Sequence, residues 1–129
     1  MERNVVLVVD DEEVNRALYR DALELDGYEV VVATGGREAI EILGAREVDA
    51  IVCDIQMPHN GIRVFEYLVE NFPHLRERFI FVTGSAEKKQ EAERITEAAA
   101  YLQKPLSLQH LRETMRVLLG ARPGGLLDT

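Results

Sequence analysis

Five polar residues at the ends of four apolar runs could do chemistry together. Asp10 and Asp11 close the run NVVLVV (4–9), with Glu12 and Glu13 behind them. Asp54 closes AIVC (50–53), and Thr83 closes FIFV (79–82), followed by Gly84 and Ser85. Lys104 follows AAYL (99–102) and precedes Pro105. Taken singly, each has an ordinary explanation: an acidic pair suits a helix start, an Asp after a strand begins a turn, and a lone Thr or Lys is solvated. Taken jointly, they crowd carboxylates. Like charges ~4 Å apart repel by about 4 kcal/mol at an effective dielectric near 20. Such a group either takes up protons or holds a cation. Oxygen donors without a nearby His or Cys pair suit a hard ion, Mg²⁺ by preference, which uses one or two carboxylates plus a phosphate. Phosphoryl transfer then has its parts. Mg²⁺ takes one phosphoryl oxygen, the Lys104 ammonium a second, and the Thr83 hydroxyl with backbone N–H groups a third. A carboxylate nucleophile gives an acyl phosphate. Asp54, ending a rigid central strand, is placed for that role, and Gly84 leaves the approach clear.

These residues need elements to bring them together. The apolar runs 4–9, 28–33, 50–53, 79–82 and 99–102 read as strands, nearly all apolar as in a sheet covered on both faces. Helical spacing separates them. Val14, Leu18, Ala22 and Leu25 mark a first helix, with Gly27 at its C-terminal cap. Ala39, Ile42 and Leu43 mark a second, and Val64, Phe65, Leu68 and Val69 a third. A fourth, 86–95, offers only Ala86, Ala92 and Ile95 as anchors, so it can move at low cost. The last carries Leu108, Leu111, Met115, Leu118 and Leu119 behind Ser107 as N-cap. The alternation βαβαβαβαβα predicts an α/β fold: one doubly wound parallel sheet of five strands with five flanking helices. Ligands of such sheets sit at the carboxyl ends of the strands. Residues 1–120 form the expected domain, and 121–129 (ARPGGLLDT) a tail or the start of a linker.

Composition narrows the function. The chain has 129 residues, the size of one domain, and 47% of them are hydrophobic. A net charge of −8 argues against a general nucleic-acid binder. One cysteine, Cys53, allows no internal disulfide and fits a reducing cytoplasm. No apolar run approaches the ~20 residues of a membrane span, and the N-terminus lacks a signal peptide's pattern.

The stretches VVDDEE, DIQMP, FVTGSA and YLQKP, in this order and at this spacing, resemble the receiver domain of two-component response regulators over residues 4–119. The resemblance implies a flavodoxin-like sheet of order 2-1-3-4-5. It implies that Asp54 accepts a phosphoryl group from a histidine of a sensor histidine kinase or phosphotransfer protein. Asp11 then ligates Mg²⁺, Asp10 assists, and the backbone carbonyl of Gln56 adds a ligand. Thr83 moves to the phosphoryl group, Lys104 pairs with it, and Tyr101 turns inward behind Thr83 while the fourth helix shifts. Met57 and Pro58 belong to the DIQMP stretch, and a cis bond is expected before Pro105. Gln56 and Ser85 resemble positions that tune dephosphorylation. The output face is the fourth helix, fifth strand and fifth helix, also a dimer surface. It signals to a downstream protein or a covalently linked output domain. The stretches around Thr83 and Lys104 also resemble receivers attached to hybrid sensor kinases. The chain departs from the family between Asp54 and Gly61, where IQMPHN is one residue shorter than usual, bringing His59 or Asn60 nearer the site. His59, His74 and His110 read as surface residues, and Cys53 as a small buried apolar one. Two rivals exist. One is a phosphorylation-independent binding module. The other is an aspartyl phosphatase, which needs a second acid where Gln56 stands. The expected protein is not an enzyme but a phosphoacceptor that assists its own phosphorylation and dephosphorylation.

Overall fold

The computed structural model describes residues 3–57 and 60–120. The apolar runs form β1 Val5–Val9, β2 Glu29–Ala33, β3 Ala50–Asp54, β4 Phe79–Thr83 and β5 Ala100–Gln103. The helices are α1 Glu13–Leu25, α2 Gly36–Ala45, α3 Gly61–Asn71, α4 Ala86–Ile95 and α5 Leu108–Leu119. A 3-10 segment, Pro73–Arg78, leads into β4. The sheet is parallel throughout, in the order β2-β1-β3-β4-β5. Asp54 and Thr83 are the last residues of their strands, while Asp10 and Lys104 stand just past theirs.

Side chains alternate along each strand, so one apolar run feeds two cores. Leu7, Val9, Ile51, Cys53, Phe79 and Phe81 face α2 and α3, which supply Ala39, Leu43, Val64, Phe65 and Leu68. Val6, Val8, Val52, Ile80 and Val82 face α1 and α5, which supply Tyr19, Leu23, Leu111 and Met115. The rings of Phe65, Phe79 and Phe81 pack edge-on and tilted at 4.7–5.5 Å between centroids. Caps end the helices where the sequence predicts. Ser107 Oγ accepts from His110 N–H at 3.1 Å, and Gly27 turns the chain out of α1 with φ of 90°, a conformation open to glycine.

Of the apolar stripe expected on α1, Ala22 alone is buried. Val14, Leu18 and Leu25 are 69%, 46% and 76% exposed, and Tyr19 and Leu23 are buried in their place. The helix carries two apolar stripes roughly a third of a turn apart at 3.6 residues per turn, and only one can meet the sheet. Tyr19 and Leu23, four apart, bring the larger area. The fourth helix is held even more lightly than its sequence suggests: Ala92 is its one buried residue, and Ile95 is exposed. Among the described residues, no helix is long and apolar enough to cross a membrane.

Candidate functional site

Register builds the site. Val9 pairs with Cys53, which sets Asp10 beside Asp54 at the ends of adjacent strands. Asp54 pairs with Val82, and Thr83 with Gln103, so Thr83 and Lys104 rise on the other side of Asp54. One carboxylate oxygen each from Asp10, Asp11 and Asp54 lies within 4.8 Å of the others. Asp10 and Asp54 are buried and Asp11 is exposed. The Lys104 ammonium donates to Asp10 Oδ2 at 3.1 Å and to Asp54 Oδ2 at 3.2 Å. Asp10 also accepts from Glu12 N–H at 2.9 Å and Asn15 Nδ2 at 3.3 Å. Asp54 Oδ1 accepts from Gln56 N–H at 3.1 Å.

Three carboxylates against one ammonium leave an excess of two negative charges when all are ionised. Burial pushes the Asp54 carboxyl above its usual 3.8, and Asp10 adds to this, against the pull of Lys104 and the Gln56 N–H. Burial would lower Lys104, but its bonds to Asp10 and Asp54 hold it above 10.5. A divalent cation would neutralise the excess. The donor set is all oxygen and one member is open to solvent, which fits Mg²⁺ with its retained waters.

The other expected residues take distinct places. The Thr83 hydroxyl, buried, donates to Gln56 Oε1 at 3.2 Å and accepts from Ser85 N–H at 3.1 Å. Tyr101 stacks on Phe81 at 5.8 Å. Its hydroxyl lies 2.8 Å from Thr96 Oγ1, accepts from Ala98 N–H at 2.9 Å and is 3.1 Å from the Thr96 carbonyl. The Lys104–Pro105 bond is cis. A side chain on Gly84 would meet nothing within 4 Å. Met57 packs at the edge of the core, while Pro58 and His59 lie outside the described residues. Asn60 is the N-cap of α3, accepting from Ile62 and Arg63 N–H at 2.9 and 3.2 Å. A cavity of about 580 Å³ lies at the opposite rim, around Val48, Phe72 and His74, and no site residue lines it.

Four neighbours of the site escaped the sequence reading. Asn15 bridges Asp10 and Glu12, and Arg16 donates to the Asp10 carbonyl at 2.8 Å. Tyr19 is buried and pushed up to about 12, chiefly by that burial, with Asp10 and Asp54 adding to it. Their signal was the stripe 12, 15, 16, 19 at helical spacing, which turns one face of α1 toward the strand ends. Gly61 is the fourth. A Cβ there would run into the Asp54 carbonyl oxygen and lie 3.1 Å from Cys53 Sγ. Gly61→Ala is therefore expected to cost about 1–3 kcal/mol, the usual range for overpacking, read by denaturant melts. It should also displace Asp54. A variant as stable as wild type would show that β3 and α3 are not in this close contact.

The family model described as "Response regulator receiver domain" matches residues 6–116. The chain is 36% identical over 118 residues to the polar-differentiation response regulator DivK of Brucella ovis, covering 89% of this chain and 95% of that one. Among solved structures, the chemotaxis protein CheY4 of Vibrio cholerae superposes with a TM-score of 0.79 at 29% identity, over 91% of this chain and 99% of that one. The response regulator protein TrrA of Thermotoga maritima, in complex with Mg(2+)-BeF, superposes with a TM-score of 0.80 at 27% identity, over 89% and 98%. With the sheet order, the acidic cluster and these likenesses in agreement, the chain belongs to the response regulator receiver domains, the phosphorylation-activated switches of two-component signalling.

Proposed function

We propose that Asp54 is the phosphoacceptor of this switch. The observation that carries the reading is the Lys104 ammonium held between Asp10 and Asp54, at the joined ends of three strands. It leaves one carboxylate fixed as a nucleophile and one ammonium ready for a phosphoryl oxygen. Asp10, Asp11, Asp54 and the Gln56 carbonyl would hold Mg²⁺. When bound, the ion neutralises charge on the phosphoryl oxygens. An Asp54 carboxylate oxygen forms the new bond to phosphorus. The P–N bond of a phosphohistidine breaks, and its electron pair returns to the donor's imidazole.

The rest of the reading follows from charge. The phosphoryl group adds about −1.5 to −2 units and strong acceptor oxygens. Thr83 turns to it, Tyr101 moves into the space behind, and lightly held α4 shifts. The face made by α4, β5 and α5 then signals to a protein target or a linked output domain, or pairs with a second copy. Partners on the input side are a sensor histidine kinase or phosphotransfer protein. With a net charge of −8 we place no nucleic acid among the partners. We take the site to be cytoplasmic, without a membrane partner, and residues 1–120 to be the receiver. The expected tail, 121–129, lies outside the described residues. The chain is not a phosphatase acting on foreign esters, because Gln56, two after Asp54, carries no acid proton to give.

Incubation with acetyl phosphate and Mg²⁺, read by intact mass, tests this. The expected result is a gain of one phosphoryl group, lost when a chelator removes the metal. No gain with donor and metal both present would favour the phosphorylation-independent binding module. Sustained phosphate release from unrelated monoesters would favour the phosphatase.

A further inference from the structure

We infer that the Gln56 side chain is a latch that holds Thr83 in the resting position and sets how readily the switch turns. The inference rests on the reading of Asp54 as phosphoacceptor. Thr83 is 1% exposed, so its hydroxyl has little access to water. That hydroxyl has one proton, and the proton goes to Gln56 Oε1 at 3.2 Å. The Thr83 hydroxyl oxygen itself accepts from Ser85 N–H at 3.1 Å, so Thr83 is held in this position from two sides. A phosphoryl oxygen on Asp54 needs the same proton. One hydrogen atom cannot serve both acceptors, so Gln56 and the phosphoryl group compete for it directly.

The competition is local by construction. Gln56 anchors Asp54 Oδ1 through its backbone N–H at 3.1 Å and Thr83 through its side chain. It lies in the turn between β3 and α3, and it is itself exposed. Its carboxamide can therefore turn to water once released, whereas Thr83 cannot do so where it sits. Removing the acceptor leaves a buried hydroxyl proton without a partner in the resting state. That raises the resting state relative to the switched one and lowers the cost of turning Thr83. Gln56 is a positioning residue here: it touches no phosphoryl atom and acts through Thr83.

The test uses beryllium fluoride with Mg²⁺ as the phosphoryl probe, on wild type, Gln56→Met, Thr83→Val and the double variant. Met keeps the length of Gln and removes the acceptor, and the site is at the surface, so the fold is retained. Gln56→Met should bind the probe about two- to tenfold more tightly, the size of one net hydrogen bond. Without probe or metal, the Thr83 amide and methyl NMR signals of Gln56→Met should move toward their probe-saturated positions. In the Thr83→Val background, Gln56→Met should change affinity by less than about twofold, since the coupled partner is gone. Uptake by wild type with no gain in Gln56→Met, or an equal gain in both Thr83 backgrounds, sinks the latch and leaves the assignment of Asp54 standing. No uptake by wild type sinks both.

Discussion

Asp54→Asn should take up no phosphoryl group from acetyl phosphate, and it should melt at a higher temperature than wild type. The first effect is complete, because an amide oxygen is not a nucleophile that can form the acyl phosphate. The second follows from the charge in the pocket. Asp10 and Asp54 share one ammonium, and burial holds the Asp54 carboxyl above 3.8. A carboxyl whose folded pKa is raised helps the fold most below its unfolded value, and that help is lost as pH rises through the folded value. At neutral pH wild type therefore carries an ionised group it would hold more cheaply as a neutral one. Asn keeps the shape and removes the charge, while Lys104 keeps Asp10. The gain should be on the order of 1–2 kcal/mol, between the about 1 kcal/mol of a like-charge pair in water and the about 4 kcal/mol at an effective dielectric near 20. That corresponds to a melting point about 5 °C higher. Melts in chelator across pH check the sign. The difference between variant and wild type should be full at neutral pH, shrink as pH falls through the raised folded value where Asp54 takes up its proton, and be gone below 3.8. A variant no more stable than wild type at neutral pH would show that the pocket stores no repulsion at Asp54.

What the sequence made legible divides along a physical line. Strand ends were readable because parallel apolar runs must start and stop together, so Asp10, Asp54, Thr83 and Lys104 were bound to converge. Which stripe of α1 is buried was not, because Val14, Leu18 and Leu25 look as apolar as Tyr19 and Leu23 until the sheet is in place. Side-chain partners across loops were not readable either. The Gln56–Thr83 bond joins residues 27 apart through a rotamer choice. The tie of Tyr101 to Thr96 and Ala98 depends on how the chain leaves α4, since Thr96 turns its hydroxyl back to the Ala92 carbonyl at 2.6 Å. In the switch proposed above, an inward turn of Tyr101 would break these contacts, a second resting hold beside the one inferred at Thr83.

Lys104→Met should lose stability in the absence of metal and recover much of it when Mg²⁺ is added. Lys104 is 21% exposed in its side chain and bonds two carboxylates that are almost wholly buried. Removing one partner of a buried ion pair leaves the other charge uncompensated, which costs about 3 kcal/mol. Here two carboxylates lose the same partner. Burial opposes the lysine's charge, but the bonds to Asp10 and Asp54 raise its pKa above 10.5. Its contribution is thus fully present at neutral pH and is lost only as pH rises through that raised value. Two agents should repair the variant. Acid does so by protonating Asp54, so the deficit shrinks as pH falls toward 3.8. Mg²⁺ does so by binding the native pocket and not the unfolded chain, which stabilises in proportion to the logarithm of its excess over the dissociation constant. Calcium chloride and sodium chloride at matched ionic strength separate specific binding from screening. Phosphoryl uptake should still fall about a hundredfold, because the ammonium is a preplaced charge that the metal does not replace at its own phosphoryl oxygen. Equal destabilisation with and without Mg²⁺ would mean that the acids of β1 and β3 do not share one ion, and the phosphoacceptor reading would lose its footing with them.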